Sequence, residues 1–468
     1  MTAIADMTCV ELTEGYARGA LSPVEVVRDC LARIEKHADI NAFIIVDSEA
    51  ALNTAGESQA RWKAGRPLGK IDGVPATIKD NIWAKGLPTR RGSRNSDTAP
   101  AQADSPAVAR LREGGAVILG KTCLPEHGWI GACHSPLTGI TRNPWKRDYT
   151  TGGSTGGGAA AALLGLGVLH LGTDGAGSLR IPAAFTGVFG FKPSFGLVPA
   201  HPPSMLNVLA HQGPITRKVA DAALMLSTIA QPDARDMTAW NTAVPDFTAG
   251  LEKSVRGLRV ALSMRLGHVE KFNPDIEAAV RKVARILEEQ GAIVEEADPP
   301  LARALDMIRV LWWPVMTGLA DALPPQQRAE MDPGLLDVAE RGKRFTVGDY
   351  AAAYSARTDL YNAMLDFHAR YDLLLTPTMP LTALKAGLVM PDDVDYGDDW
   401  LNWSPYTYPF NLTQQPAASV PCGLASNGLS MGAQIVGAPR TDAVVLRAAR
   451  VIETALPMPP LPALRAQV

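Results

Sequence analysis

Two serines, Ser154 and Ser178, and one lysine, Lys79, are the residues of this chain whose setting suits chemistry. Each serine lies in a glycine-rich turn, Gly152-Gly153-Ser154-Thr155-Gly156-Gly157 and Asp174-Gly175-Ala176-Gly177-Ser178. Glycine makes turns that other residues reach only with strain, and a hydroxyl on such a turn is held away from its own backbone. Lys79 ends a short apolar stretch, VPATI, and is followed by the turn-forming pair Asp80-Asn81. Such a trio could carry out acyl transfer at neutral pH, one hydroxyl attacking a carbonyl while a base removes its proton. A lysine can be that base only when neutral, and burial among apolar residues lowers its pKa by up to several units from about 10.4. Run backwards, the same relay would protonate a departing nitrogen, which an amide needs because an amide anion is a poor leaving group.

Between the two turns runs AAAALLGLGVLHLGT, 15 small and apolar residues. It is long enough for a buried helix over 157–164 and a buried strand over 168–172, which would return both turns to one side of a sheet. A plain structural reading of either turn alone is a tight crossover with solvated hydroxyls. A nucleotide loop is another, set aside because no stretch is read as GxxxxGK[ST] or GxGxxG.

Further elements have to hold these groups in place. Ser22-Pro23-Val24-Glu25 has the form of a capping box with proline at the first helical position, followed by VEVVRDCLARIEKH and a buried strand at 41–46. Asp104-Ser105-Pro106 starts a helix that ends at Gly114-Gly115, with a strand at 116–119 after it. A second strand–helix–strand unit is predicted at 258–264, 274–290 and AIVEEA; 371–380 reads as a strand and 441–455 as a last helix. This rhythm favours a largely parallel sheet with helices on both faces. Residues 226–256 and 297–347, with Trp312 and Trp313, look less regular and suit lids or inserts. Aromatics cluster at Trp400, Trp403, Tyr406, Tyr408 and Phe410; they suit a substrate-pocket wall or, equally, a buried corner. The tail LPMPPLPALRAQV reads as mobile.

Together with residues 72–93 (DGVPATIKDNIWAKGLPTRRGS), the two turns resemble the amidase signature family of serine hydrolases. The resemblance continues in order through 104–122, 142–145, 152–193, 209–219 (LAHQGPITRKV), 410–422 (FNLTQQPAASVPC) and 432–437 (GAQIVG). The 24-residue separation of Ser154 and Ser178 agrees with it. It implies one large α/β/α domain over 1–468, with a central twisted, mostly parallel mixed sheet flanked by helices. An N-terminal helical segment would occupy 1–70, the signature core 71–225, and the rest of the sheet, a possible lid and a C-terminal helix 226–468. It further implies Ser178 as nucleophile, Lys79 as base, and Ser154 as the bridging serine, preceded by a cis peptide from Gly153. Backbone N–H groups of Gly175, Ala176 and Gly177 would form the oxyanion hole. Ala176 stands where most members have glycine, so its φ is expected to be negative; Thr155 replaces a commoner serine but keeps the hydroxyl. Asp174 and Arg180 match family positions and are expected to fix the loop, with contact to an anionic substrate as the other role open to Arg180.

Net charge is −3, with 46% hydrophobic and 20% charged residues, so no basic footprint for nucleic acid is present. The N-terminus lacks the pattern of a signal peptide, and the longest apolar run falls short of about 20 residues, so a cytoplasmic protein outside the membrane is expected. The five cysteines, with no CxxC pair, read as reduced thiols; a cysteine nucleophile beside His127 or His134 would lack the glycine turn and the base. The resulting expectation is a cofactor-free, metal-free amidohydrolase, monomer or homodimer, acting on a small, neutral, partly aromatic or aliphatic amide with carbamate or ester side activity. The alternatives are a glutaminase-type subunit of a tRNA-dependent amidotransferase and a catalytically silent binding protein on the same fold. The apolar MLNVLA before His211 and Ile181 after Arg180 count against the first, and the complete trio against the second.

Overall fold

The computed structural model describes residues 3–461. Alternation along its strands builds two cores at once. Leu373 and Leu375 join one cluster while Leu374 joins the other, and Val260 and Leu262 are separated from Ala261 in the same way, as a period of two requires. Helices Val219–Ile229, Pro274–Glu289 and Asp442–Ala455 cover the first face. Helices Ala304–Asp321, Pro333–Gly342 and Val347–His368 cover the second. The fold is therefore α/β, a sheet between two helical layers.

From one edge to the other the eleven strands are Phe43–Val46, Val117–Thr122, Pro75–Lys79, Leu169–Asp174, His211–Thr216, Phe189–Lys192, Ala417–Leu424, Ser430–Gly437, Leu373–Pro377, Arg259–Leu262 and Ile293–Glu296. The sheet is mixed. Its four parallel pairings lie in two blocks, one around Pro75–Lys79 and one around Arg259–Leu262. The six pairings at one edge and through the middle are antiparallel, so the expected parallel character belongs to these blocks. The block holding Pro75–Lys79 and Leu169–Asp174 puts the carboxyl ends of two neighbouring strands side by side, where open α/β sheets bind ligands.

Several local expectations differ in detail. The strand expected at 41–46 as buried is a half-buried edge strand, because Phe43–Val46 has a neighbour on one side only. Residues 297–347 are far more regular than expected: Ala304–Asp321 is an 18-residue helix despite Pro314 in its interior. The tail is not loose throughout its described part, since Leu461 is buried against Ile40, Ala160 and Leu164; residues 462–468 lie outside the described residues. Among the described residues no helix is long and apolar enough to cross a membrane.

Candidate active site

Lys79 is the last residue of a strand buried at every position and paired on both sides. Its side chain is inaccessible to solvent. Nζ donates to Ser154 Oγ at 2.7 Å and to Thr173 Oγ1 at 2.8 Å, and no carboxylate forms a salt bridge with it among the described residues. Burial without a paired anion lowers its pKa to about 7, against smaller opposing effects of Cys133 and Asp174. A base poised near neutrality follows from this placement alone.

Ser154 follows a cis peptide from Gly153 and lies two residues before helix Gly156–Leu164, whose N-cap is Thr155. Glycine is required at 153, since a Cβ there would lie 2.1 Å from the carbonyl oxygen of Ala132. Leu169–Asp174 then brings the chain back, and the Thr155 N–H donates to the Ser178 carbonyl at 3.0 Å, tying the two turns together. The Thr155 hydroxyl donates to the Thr173 carbonyl at 3.1 Å. Ser178 is 7% exposed and opens into a cavity it shares with Ser154. Its hydroxyl makes no hydrogen bond to Ser154 or to any other described residue.

The loop before Ser178 is held by a buried ion pair. Asp174 accepts from the Gly177 N–H at 2.8 Å and the Leu179 N–H at 3.2 Å. It also accepts from Arg180 Nε at 3.0 Å and Nη2 at 2.9 Å, and from Asn411 Nδ2 at 2.9 Å. Burial alone would raise the Asp174 pKa, but Arg180, with Lys192 and Asn411, reverses this and holds it far below the usual carboxylate range. The remaining Arg180 protons go to Thr407 O, Gln434 Oε1 and Asn411 Oδ1 at 2.7–2.8 Å. All five guanidinium donors are thus occupied inside the protein, which leaves Arg180 nothing to offer an anionic substrate.

The same geometry corrects the oxyanion-hole expectation. The Gly177 N–H is taken by Asp174, whereas those of Gly175, Ala176 and Ser178 have no acceptor among the described residues. Ala176 does not adopt a positive φ, and Gly177 does, at 128°. A Cβ at 177 would also meet Thr407 Oγ1 at 2.4 Å.

The cavity above the serines holds about 290 Å³. Its floor is Ser154, Thr173, Gly175 and Ser178, and Ile82, Leu206, Trp312, Met316 and Leu319 supply apolar wall. A Cβ on Gly175 would lie 2.9 Å from Leu206 Cδ1 and 3.2 Å from Trp312 Cζ3, so these two side chains press on the loop before the nucleophile. Trp400, Trp403 and Tyr406, expected as pocket wall, do not line the cavity. All three are buried in the second core, Trp403 Nε1 donating to Val389 O at 3.0 Å and Tyr406 Oη to Met264 O at 2.6 Å. Trp400 meets Trp312 edge to face, with ring centroids 6.0 Å apart, and so backs the wall instead of forming it. Sequence reasoning missed Thr173, a hydroxyl directly before the noted Asp174, and gave Trp312 no more than a place in a possible lid.

Two competing readings fall away on geometry. Residues 115–122, GAVILGKT, do carry the GxxxxGKT spacing. Gly120, Lys121 and Thr122 nevertheless lie within a strand, and Lys121 pairs with buried Asp80 at 3.2 Å, so there is no phosphate loop. Cys123 and Cys133 are buried thiols whose pKa values burial raises, the reverse of what a thiolate nucleophile needs. No cluster of metal-ligating side chains occurs among the described residues.

Comparison with known proteins agrees with this architecture. A family model described as Amidase matches residues 25–446. The chain is 36% identical over 466 residues to an acylamidase of Rhodococcus erythropolis, covering 96% of each. It is 35% identical over 483 residues to a glutamyl-tRNA(Gln) amidotransferase subunit of Myxococcus xanthus (strain DK1622), covering 96% of this chain and 97% of that one. The crystal structure of a bacterial aryl acylamidase matches with a TM-score of 0.89 at 30% identity, covering 96% of each chain. Likeness of this extent makes the chain a member of the amidase signature family. It is an amide-hydrolysing enzyme.

Proposed function

We propose that the enzyme cleaves the C–N bond of a small aryl or aliphatic amide through an acyl-Ser178 intermediate. Neutral Lys79 accepts a proton from Ser154, which accepts one from Ser178 as that oxygen attacks the carbonyl. The N–H groups of Gly175, Ala176 and Ser178 stabilise the oxyanion, and Ser154 returns the proton to the departing nitrogen. Water then releases the acyl group by the same relay. The observation that carries this reading is the 2.7 Å contact between a fully buried lysine, its pKa lowered to about 7, and Ser154 on the cavity floor.

A cavity of about 290 Å³ with one tryptophan in its wall suits a substrate of roughly one ring. The five buried, unpaired cysteines support a reducing compartment, hence the cytoplasm. A fluorophosphonate adduct on Ser178 and hydrolysis of an acyl para-nitroanilide test the assignment together. A folded sample that gives neither sinks it. Ammonia release from glutamine by the isolated chain, with anilides inert, would favour the glutaminase-type subunit that the second relative represents.

A further inference from the structure

The cavity also carries a cation that the reaction does not use. Arg91 lines the cavity, and its guanidinium has no hydrogen-bond or salt-bridge partner among the described residues. The carboxylate that acts on it is Asp80, which is fully buried and forms its ion pair with Lys121 at 3.2 Å. Two cations therefore share one anion, and a positive charge is left facing the cavity. Its neighbour His127 also lines the cavity and has a buried, unpartnered Nδ1. Burial, with Arg91 beside it, lowers the His127 pKa to about 4, so the ring is neutral and able to donate.

The backbone holds this pair in an unusual conformation. Arg91 and His127 both adopt φ 52°, the left-handed region that non-glycine residues rarely occupy, and the His127 N–H donates to the Arg91 carbonyl at 2.8 Å. The bond between them fixes the two backbones relative to each other at the cavity wall.

The position says which half of a substrate they would meet. Gly128, next to His127, lies so close to Ser154 that a Cβ on it would be 3.1 Å from Ser154 Oγ. Arg91 is likewise joined to the segment after Lys79, its N–H donating to the Asp80 carbonyl at 3.1 Å. Leu206 and Trp312 instead press on Gly175. Ser154 delivers the proton to the leaving nitrogen, so the amine half lies on the Arg91 side and the acyl half toward Trp312.

We infer that Arg91 and His127 form a carboxylate subsite for the amine half of the substrate, so that the preferred substrates are N-acylated amino acids or aminobenzoates. The inference rests on the acyl-Ser178 reading. One water is consumed per turnover: the C–N bond breaks, the acyl carbon leaves as a carboxylic acid, and the nitrogen leaves as the amine of a carboxylate-bearing product. A guanidinium fork matches such a carboxylate in two parallel hydrogen bonds.

The test compares kcat/KM of the full-length enzyme on N-acetyl-3- and N-acetyl-4-aminobenzoate with the matched N-acetyl toluidines, in which methyl replaces carboxylate. The expected result is a preference of about tenfold or more for at least one carboxylated member, and a fall in that ratio of about 10- to 100-fold in Arg91→Ala. Arg91→Lys should keep part of the preference, which guards against a variant that merely misfolds. In the Ser178→Ala protein, calorimetry with the corresponding free aminobenzoate should show binding that Arg91→Ala removes. A wild-type enzyme that hydrolyses the toluidides and takes the fluorophosphonate, yet shows no carboxylate preference, overturns the subsite and leaves the parent reading standing. Absence of any adduct on Ser178 overturns both.

Discussion

The floor and the roof of this cavity are built on opposite principles. Beneath the floor, Lys79, Asp174 and Arg180 are sealed from solvent, and their side-chain polar atoms are satisfied by other residues of the same protein. In the roof, Trp312, Met316 and Leu319 come from one face of helix Ala304–Asp321, joined by the 200–206 segment, whose Met205 is 49% exposed. A floor made of interlocked hydrogen bonds tolerates little change, because removing one member strands its buried partners. A roof of apolar side chains changes shape without stranding anything. The catalytic groups and the apolar roof thus come from separate parts of the chain.

That division can be broken from the floor first. Ser178→Ala should lower kcat by about 10⁴-fold or more with an unaltered melting profile, and Lys79→Ala should be nearly as damaging; steady-state kinetics beside calorimetry checks both. Arg180→Ala should instead act on stability, at a cost of about 3–5 kcal/mol, because it leaves Asp174 buried and unpaired. Urea unfolding that shows a loss under about 1 kcal/mol would mean that the Asp174–Arg180 pair does not hold the loop.

pH sharpens the contrast. Only neutral Lys79 can act as base, so kcat/KM should rise with pH through about 7 and level off above it. The folded-state value lies below the ordinary 10.5 of a free lysine. Between the two values the unfolded chain binds a proton that the folded chain does not, so the contribution of Lys79 to stability rises with pH across that window. Lys79→Met should remove that rise, and a stability difference between the two proteins that stays flat with pH would contradict it.

The roof should yield smaller and more selective effects. Trp312→Ala should raise KM for an amide with an aromatic acyl group, such as benzamide, by about tenfold while changing kcat for a small aliphatic amide little. Trp403→Ala, one layer further out, should lower stability by about 3–5 kcal/mol and leave the ratio between those substrates alone. Met205→Ala, at the exposed rim, should change either rate by about twofold at most.

Much of the floor was legible because its signals are local. The glycine-rich turns around Ser154 and Ser178 and a lysine ending an apolar strand are each written within a few residues. The roof was not legible. Helix Ala304–Asp321 carries Pro314 and two tryptophans, and its packing role depends on strands far away in sequence. The cluster Trp400, Trp403 and Tyr406 had the composition of a pocket wall, but composition does not distinguish an aromatic ring facing a cavity from one facing a core.

The sequence by itself determined which turns hold the hydroxyls, which strand ends in the amine and which layers surround the sheet. These depend on backbone allowance and on periodicity, and both are properties of neighbouring residues. Tertiary structure alone decided that Gly177 gives its N–H to Asp174, that Arg180 has no donor left for a substrate, and that Arg91 does. Each of those outcomes is a competition among groups distant in the chain for a limited number of hydrogen-bond partners, and only the folded arrangement sets who is within reach.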